Sequence, residues 1–367
     1  MKKLNILAAA AALAIVSQGA AAAPDTYTAV RVDHVYGEHF FEGLAMNDGA
    51  AIVGYVGLPD GMYWYTGPQA QGVQDYPTAF TSWHDMSAIR GINNAGQITG
   101  SYNLFDPTFK GSHAFVSSAD GTTVTDMNPP GATSSLGTAI DAQGRIVGCA
   151  TNAAGTHAVR TGADGQLHAL PTLGGSKACA SAFNAHGVVV GYSTVASGDT
   201  HAFATGLHGS GMTDLGTLGG TYGYAAAVNL KGWIVGQSTD AGGVYTAFAV
   251  APGTTAMQSV TVLDGSGRYV GGTSEADGLD VDGRIVGSAE DNNRGKRPIA
   301  FITGKNGVGI RDLNDYVTGL PKGERVIRAA AINANGQILA DSSIDGEAMW
   351  LLTPTRATWA AEIDAGR

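Results

Sequence analysis

Three histidines recur at the same position in consecutive segments of the chain. His113, His157 and His201 each open a tripeptide whose second residue is Ala. Imidazole is a common zinc ligand, and zinc holds its ligands at about 2.1 Å. If the three segments fold as neighbouring sheets, however, equivalent positions lie about 10 Å apart, which is too far for one shared ion. We therefore expect a structural role, in which each histidine hydrogen-bonds a loop where its strand begins.

Acidic residues suggest a second kind of site. Asp277, Asp280, Asp282 and Gly283 resemble part of a calcium-binding loop. The first ligand of the Asp-x-Asp-x-Asp-Gly pattern is missing, and Ala289 stands where the distant bidentate Glu is required. The same residues also form a turn of the repeat described below. The sequence therefore predicts no metal site and no cofactor, and this loop remains an incomplete calcium motif.

Motifs give no support for nucleophilic catalysis. The chain lacks a Gly-x-Ser-x-Gly elbow, a His-Glu-x-x-His pair, a Cys-x-x-Cys pair and a phosphate-cradling Gly-x-Gly-x-x-Gly. Carboxylates are plentiful, but a glycosidase pair must lie about 5–9.5 Å apart in a cleft, which distance along the chain does not show. No catalytic residue is predicted, and a hydrolase that uses acidic residues stays open as an alternative.

Two variable loops carry the residue types that bind sugars or peptides. Variable loops on a rigid scaffold are where binding usually occurs. The loop at 101–112 is aromatic and charged, and the loop at 288–298 has the densest charge in the chain. The ligand-binding candidates on these loops are Tyr102, Phe105, Asp106, Lys110, Glu290, Asp291 and Arg294. The alternative is that either loop is simply solvated.

The first 23 residues have the form of a secretory signal peptide. Lys2 and Lys3 precede an apolar run at 4–16, and small residues follow at 21–23. A transmembrane anchor needs about 20 apolar residues, and this run is shorter. We therefore expect an exported protein that begins near Pro24, has no membrane span, and resides in the periplasm or outside the cell.

Composition excludes one class of partner and favours one class of fold. Two of the 21 basic residues lie in the leader, which leaves 19 against 31 acidic residues and a net charge near −12. Such a surface repels phosphate backbones, so we expect no nucleic-acid partner. Gly is abundant at 54 residues, only 14% of residues are charged, and 44% are hydrophobic. This balance is typical of many short, buried strands joined by tight turns rather than of disorder.

A recurring turn divides the chain into repeats. Its first residue is Asn or Asp, which caps the turn, and its last is Gly, which accepts positive φ. Copies lie at 47–49 (one residue shorter), 93–96, 141–144, 184–187, 229–232, 280–283 and 333–336. Successive glycines are 47, 48, 43, 45, 51 and 53 residues apart. A period of this size indicates a repeat architecture.

Each repeat reads as four short strands, which is the pattern of one propeller blade. A strand of small residues precedes the turn, and an apolar run ending in Gly follows it. We therefore predict an all-β fold, a seven-bladed β-propeller over residues 24–353 with four antiparallel strands per blade. An open β-solenoid is the alternative.

The two ends of the chain predict how the ring closes. The last repeat lacks a fourth strand, and an orphan strand at 27–33 would supply it. This pairing would remove an exposed sheet edge. Residues 354–367 are then a tail beyond the propeller.

The two cysteines are predicted to form a disulfide. An even number in an oxidising compartment favours a bridge. Cys149 lies five residues after Gly144, and Cys179 lies five residues before Asn184, so both sit at similar heights on adjacent units. Two unpaired buried thiols are the alternative.

Three recurring elements together resemble the HAF-repeat family of bacterial extracellular proteins. They are the tripeptide at 201–203, the Asp-Leu-Gly-Thr-Leu-Gly-Gly segment at 214–220 and the turn at 184–187. The resemblance covers nearly the whole mature chain, implies secretion and a repeat fold, and brings no enzymatic activity. The copies are degenerate, because His-Ala-Phe is intact only at 113 and 201.

The function predicted from these observations is a monomeric binding module without a cofactor. Its partner would be an unidentified glycan, peptide or component of the cell envelope. Two alternatives stay open. One is a carbohydrate-active enzyme that uses carboxylates on the loop face, and the other is a structural component of the envelope or matrix.

Overall fold

The computed structural model describes residues 26–32, 41–56, 62–66, 73–75, 86–103, 111–260, 272–291, 297–342 and 348–355. These residues form 29 β-strands and three short 3₁₀ turns, so the fold is all-β as the sequence predicts. No helix among them is long and apolar enough to cross a membrane. The signal-peptide segment 1–23 and most of the predicted tail, 356–367, lie outside the described residues.

The strands are short, and they follow one another with few residues between them. The first thirteen are β1 (Tyr27–Arg31), β2 (Phe41–Met46), β3 (Ile52–Val56), β4 (Met62–Thr66), β5 (Val73–Asp75), β6 (Met86–Ile92), β7 (Ile98–Asn103), β8 (Ser112–Ser117), β9 (Val124–Asp126), β10 (Ser134–Ile140), β11 (Ile146–Asn152), β12 (Gly155–Thr161) and β13 (Leu167–Ala169). The others are β14 (Gly174–Phe183), β15 (Val189–Val195), β16 (Thr200–Ala204), β17 (Thr213–Gly216), β18 (Gly219–Val228), β19 (Ile234–Asp240), β20 (Tyr245–Val250), β21 (Met257–Ser259), β22 (Ser274–Leu279), β23 (Ile285–Asp291), β24 (Arg297–Thr303), β25 (Ile310–Asp312), β26 (Val317–Thr318), β27 (Val326–Ile332), β28 (Ile338–Ser342) and β29 (Met349–Pro354). The 3₁₀ turns are Leu207–Gly209, Lys305–Gly307 and Leu313–Asp315.

Successive strands pair antiparallel in groups, which we number as units in chain order. Units 1, 2 and 6 are separate sheets with the orders β2-β3-β4-β5, β6-β7-β8-β9 and β22-β23-β24-β25. In units 3, 4 and 5 consecutive strands also pair in chain order, as β10 to β13, β14 to β17 and β18 to β21. Single parallel bridges join these three, from Thr156 to Lys177 and from Thr200 to Tyr222. Unit 7 contains the consecutive strands β27, β28 and β29.

The amino-terminal strand lies beside the last of these strands. β1 pairs antiparallel with β29, with Tyr27 opposite Pro354 and Arg31 opposite Trp350. The other edge of β1 pairs in parallel with β26. Thr355 is tied back as well, because its N–H donates to Thr26 O at 2.8 Å. Pro354, which the sequence placed at the start of the tail, is the last residue of β29.

The glycine that follows the apolar start of the second strand is required by a close approach. Gly191 in β15 and Gly236 in β19 each lie opposite the first strand of the same unit. A Cβ at Gly191 would lie 2.1 Å from Cys179 O, and one at Gly236 would lie 2.0 Å from Tyr224 O. A larger residue would push the two strands apart, so the recurring Val-Gly ending has a steric cause.

The hydrophobic core lies between successive units. The phenylalanines of the recurring tripeptide are fully buried at Phe115, Phe203, Phe248 and Phe301. Phe203 of unit 4, for example, packs in one cluster with Val147 and Ala158 of unit 3. Burial of such a side chain contributes about 1.5–3 kcal/mol. Units 7 and 1 also share a cluster, in which Leu339 packs with Ile52.

The turn between the first and second strands links each unit to the next. Asn184 Oδ1 accepts hydrogen bonds from the backbone N–H groups of His186 and Val188 at 3.1 Å, which caps the turn of unit 4. Its Nδ2 atom donates to Asn229 O of unit 5 at 2.9 Å. The corresponding bond to the following unit is donated by Asn47, Asn93 and Asn229.

Two turns begin with Asp, and a carboxylate cannot donate this bond. Asp141 of unit 3 and Asp280 of unit 6 still cap their turns, because Oδ1 accepts from backbone N–H groups two and four residues later. Their Oδ2 atoms pair with the arginine four residues later. In unit 7 the residue is Asn again, and Asn333 Nδ2 donates to Asn47 O of unit 1 at 3.1 Å.

Candidate functional site

One position of the repeat brings side chains of neighbouring units together. Cys179 pairs across its own sheet with Tyr192, and Tyr224 pairs in the same way with Gln237. Cys179 and Tyr224 are therefore equivalent positions in the first strands of units 4 and 5. Glu275 holds the same position in unit 6, where it pairs across the sheet with Ser288 just before the register of its strand shifts. The chemistry at this position changes from one junction to the next.

Between units 3 and 4 the position holds a disulfide. Cys149 of β11 and Cys179 of β14 are bonded, and their Cα atoms lie 4.7 Å apart. This confirms the bridge predicted from the sequence. The prediction succeeded because each cysteine lies five residues from the turn of its own unit, so the repeat itself sets their heights.

Between units 4 and 5 the same position holds two tyrosines. The ring centroids of Tyr192 and Tyr224 lie 6.1 Å apart, with 48° between the ring planes. A second pair lies within unit 5, where the rings of Tyr222 and Tyr245 are 5.6 Å apart at 68°. Both distances are in the range of favourable aromatic contacts. Tyr245 is 42% exposed, and the other three tyrosines are half-buried.

Two of these phenols titrate well above neutral pH. Burial, followed by the nearby Tyr222, Glu275 and Asp277, raises the pKa of Tyr224 to about 12. Burial also raises the pKa of Tyr222, with smaller effects of Tyr245, Glu275 and Tyr192 in the same direction. Both side chains therefore stay protonated and uncharged at neutral pH.

Asp277 extends this cluster toward unit 7. Its side chain is only 7% exposed, and Oδ1 accepts a hydrogen bond from Arg328 Nη2 at 3.1 Å. Arg328 Nη1 lies 3.6 Å from Asp341 Oδ2. Among the described residues, Asp277 Oδ2 has no hydrogen-bond partner. Burial raises the pKa of Asp277 to about 7, because Arg328 opposes this effect only in part and Glu275 adds to it.

We call these residues together the tyrosine–carboxylate arc. Its members are Tyr192, Tyr222, Tyr224, Tyr245, Glu275 and Asp277. Tyr245 opens β20, directly after the loop from the second to the third strand of unit 5. Because strands alternate in direction, the ends of second strands and the starts of third strands share one end of the units. The arc therefore lies toward the end that carries the loops where the sequence predicted binding.

The arc was not among the predicted site residues. Its tyrosines are dispersed over 192–245, and the sequence alone does not show which residues of two units face each other. A signal was nevertheless present. Tyr192 and Tyr224 occupy the same repeat positions as Cys149 and Cys179, so the register that places the disulfide also places the tyrosine pair.

Tyr102, a predicted ligand-binding residue, lies in unit 2. Its ring contacts His113 and Phe115 at centroid distances of 6.0 and 6.2 Å. Burial raises the pKa of Tyr102 to about 12, and the charge and hydrogen bond of Asp126 act in the same direction. The hydroxyl group is thus engaged inside its own unit. Its loop partners Phe105, Asp106 and Lys110 lie outside the described residues.

Glu290, a candidate from the second loop, lies in unit 6. Its backbone N–H donates to Thr273 O at 2.9 Å, and Oε2 accepts from Thr273 N at 3.4 Å. Asp291 is the last residue of β23, whereas Arg294 lies outside the described residues. Tyr102 and Glu290 belong to units 2 and 6, which are not consecutive in the chain.

The recurring histidines join the third and fourth strands of their units. His113 Nδ1 lies 2.8 Å from Asp126 Oδ2, and His201 Nδ1 lies 2.9 Å from both carboxylate oxygens of Asp214. Asp214 Oδ1 also accepts from Gly216 N at 2.7 Å, which fixes the turn after the strand. In unit 3 the strand register places Ala169 where Asp126 and Asp214 stand, so His157 has no equivalent carboxylate.

The carboxylates of the incomplete calcium motif have cationic neighbours. Asp280 pairs with Arg284 at 3.0 Å. Asp282 lies 3.1 Å from Lys231 Nζ and 3.4 Å from Lys305 Nζ. Across the described ranges, no group of three or more His, Cys, Asp or Glu side chains is arranged to hold a metal ion.

Comparison with known proteins bears on the fold alone. No protein-family model matches the chain, and no curated protein matches it. A puromycin-hydrolysing peptidase of Mycobacterium tuberculosis is 10% identical at a TM-score of 0.55, covering 83% of this chain and 49% of the peptidase. The β-propeller domain of the Trilobed protease from Pyrococcus furiosus is 7% identical at a TM-score of 0.51, covering 87% of this chain and 96% of that domain.

A third structure, YCF48 bound to D1 peptide, is 12% identical at a TM-score of 0.51, covering 92% of this chain and 97% of that one. The chain thus spans about half the length of the peptidase and nearly all of the other two. Identities this low show the fold alone. Together with the antiparallel groups of strands, they establish an all-β fold of the propeller type.

Proposed function

We propose that this protein is an exported seven-bladed β-propeller of the HAF-repeat type that acts as a binding module. The ligand is held on the end of the ring that carries the tyrosine–carboxylate arc. The arc is the observation that carries the proposal, because it concentrates aromatic faces and carboxylates beside the loops that vary between repeats. Fold alone does not imply function.

Contacts between the first and last units support a ring closed by the amino-terminal strand. Asn333 donates to Asn47 O, and Leu339 packs with Ile52 in a shared core cluster. β1 takes the strand position that unit 7 lacks, next to β29. A ring of seven units in the usual range of four to eight blades accounts for all of these contacts.

Two features support export. The leader at 1–23 has a basic start, a short apolar run and a small-residue end, and the mature chain carries a disulfide. Disulfides persist in oxidising compartments and are rare where thiols are kept reduced. The periplasm and the cell exterior both meet this condition.

The chemistry of the arc favours binding over catalysis. Tyr222 and Tyr224 stay protonated at neutral pH, and Asp277 Oδ1 is held by Arg328. Aromatic faces with a few convergent polar groups are the usual lining of a binding site. The structure of YCF48 bound to D1 peptide shows that a protein of similar fold holds a peptide.

A binding screen of the mature chain, from residue 24 onward, tests this proposal. Glycans, peptides and cell-envelope components are presented to the wild type and to Tyr245→Ala, a change at an exposed ring. We expect at least one ligand whose binding Tyr245→Ala weakens and Tyr102→Phe leaves unchanged. Ligands that bind both variants equally would contradict a site at the arc, and turnover of a glycan would favour the carbohydrate-active alternative.

A further inference from the structure

We propose that the tyrosine–carboxylate arc binds an organic ammonium group, held against the tyrosine rings with Glu275 as its counter-ion. This inference rests on the proposed binding function and names the chemical class of the ligand. An alkylammonium ion could be free or could belong to a lysine side chain, and the experiment below separates these sources.

The ring geometry is suited to a cation. Tyr222 and Tyr245 stand at 68° to each other, and Tyr192 and Tyr224 at 48°, so neither pair is stacked face to face. In an inclined pair at least one ring keeps a face that its partner does not cover, and Tyr245 is 42% exposed. A cation within about 6 Å of a ring centroid is attracted by the ring quadrupole, and aromatic groups arranged in this manner recognise quaternary ammonium ligands.

The acidic side chains near the rings also favour a cationic ligand. Glu275 and Asp277 lie close enough to affect the titration of Tyr224, and Glu275 also affects Tyr222. Arg328 is the cation that pairs with this group, and it also lies near Asp341. This guanidinium group is engaged by Asp277 and Asp341, whereas Glu275 forms no ion pair among the described residues.

A neutral sugar would interact less favourably than a cation with the carboxylates of the arc. A buried carboxylate is costly unless it is paired, and a sugar hydroxyl does not neutralise its charge. Asp277 Oδ2, on a side chain only 7% exposed, has no hydrogen-bond partner among the described residues. An ammonium group supplies both a positive charge and, in the case of lysine, hydrogen-bond donors.

The first experiment uses choline and its neutral isostere 3,3-dimethylbutan-1-ol, titrated into the mature protein by calorimetry. We expect saturable binding of choline and binding of the alcohol that is weaker by about tenfold or more. Tyr245→Phe should keep choline binding, because the aromatic face remains, whereas Tyr245→Leu should abolish it. Equal affinity for the two probes would overturn the inference, because the charge would then contribute nothing.

The carboxylate is tested with a matched pair of variants. Glu275→Gln should weaken choline binding by about fivefold or more, since it removes the counter-ion. Asp199→Asn removes a carboxylate from the loop between the second and third strands of unit 4, outside the arc, and should leave the affinity unchanged. Equal losses in the two variants would indicate attraction by the acidic protein as a whole and would also overturn the inference.

A lysine-containing peptide and its acetyl-lysine counterpart identify the source of the ammonium group. Stronger binding of the unmodified peptide than of choline supports a side chain of a protein partner, and the reverse order supports a free small cation. If neither probe binds but a neutral ligand from the screen depends on Tyr245, the ammonium inference fails and the binding function stands. If no ligand depends on Tyr245, both fail.

Discussion

Single side chains at the turns act both within a unit and between units. Asn229 caps its own turn, because Oδ1 accepts from Trp233 N at 3.0 Å, and Nδ2 donates to Asp280 O at 2.9 Å. The residue is buried, so neither bond can be replaced easily by water. Asp satisfies the first requirement and fails the second, so turns that begin with Asp keep the cap but lack the hydrogen bond to the next unit.

Asn229→Asp should therefore destabilise the protein. The change keeps the cap but places a carboxylate against the carbonyl of Asp280, at a cost of about 1–3 kcal/mol in the free energy of unfolding. Urea unfolding followed by circular dichroism measures the difference. Asp141→Asn is the control, because it keeps the cap and removes only an ion pair whose Arg145 partner is 46% exposed, so it should change stability by less than about 1 kcal/mol. Equal effects of the two substitutions would argue against a role for the amide between units.

Asp277 should make stability depend on pH in a direction unusual for an acid. Its pKa is about 7 in the folded protein against an ordinary value of 3.8, so between these pH values the folded state holds a proton that the unfolded state has lost. The free energy of unfolding therefore decreases as pH rises from about 4 to 7, by at most ~1.4 kcal/mol per pH unit, and levels off above 7.

Asp277→Asn should reduce this decrease, because an amide does not titrate. Thermal unfolding at pH 5 and pH 8 provides the comparison between wild type and variant. The carboxylates of Glu275 and Asp341 and the guanidinium of Arg328 remain in both proteins, so the difference isolates one group. An identical pH dependence in the two proteins would contradict a raised pKa for Asp277.

At the scale of the strand, the recurring tripeptide has a distinct task for each residue. His201 holds Asp214 on the fourth strand, Ala202 is fully buried, and Phe203 fills the junction to the preceding unit. The Phe position packs against two sheets, and Phe recurs there at 115, 248 and 301, whereas Val159 takes this position in unit 3.

The strands, the turns and the disulfide were predictable, because each follows from local residue types repeated at a regular spacing. Asn or Asp with Gly defines a turn, and the close approach at Gly191 ends an apolar run. The arc was not predictable in this way, because it depends on which residues of two adjacent units face each other. The aromatic loop at 101–112 was the more visible signal, yet the hydroxyl of Tyr102 interacts with Asp126 of its own unit.

The disulfide should stabilise the junction of β11 and β14. The two cysteines are separated by 30 residues, and a loop of this size corresponds to about 3–4 kcal/mol in the chain-entropy model. Reduction with dithiothreitol should lower the melting temperature of the wild type. A Cys149→Ser and Cys179→Ser double variant should melt at the lower temperature with or without the reductant.

Labelling of the unreduced protein under denaturing conditions is the accompanying check. We expect no free thiol, and two after reduction. Two reactive thiols before reduction would show that the bridge does not form in the isolated protein, and the double variant would then have the stability of the wild type.

For the molecule as a whole, the junctions between units differ in a regular way. Most of them carry the hydrogen bond from a turn asparagine to the next unit. The two that begin with Asp carry other links at the first strand. The junction after Asp141 has the disulfide, and the junction after Asp280 has the ion pair of Asp277 with Arg328. Each junction of the proposed ring thus has a polar or covalent link in addition to its hydrophobic core. At most junctions this link is the hydrogen bond of the asparagine amide, and at the two that follow Asp it is the disulfide or the ion pair.

The proposed ring depends most directly on the amino-terminal strand, and native-state hydrogen exchange tests it without any mutation. Tyr27 N–H donates to Tyr316 O at 2.8 Å, and Val32 N–H donates to Met349 O at 2.9 Å. If β1 completes unit 7, amides at 27–32 exchange as slowly as those of Ile338–Ser342 in β28. Exchange of 27–32 at the rate of an unstructured peptide, with β28 protected, would contradict closure of the ring by this strand.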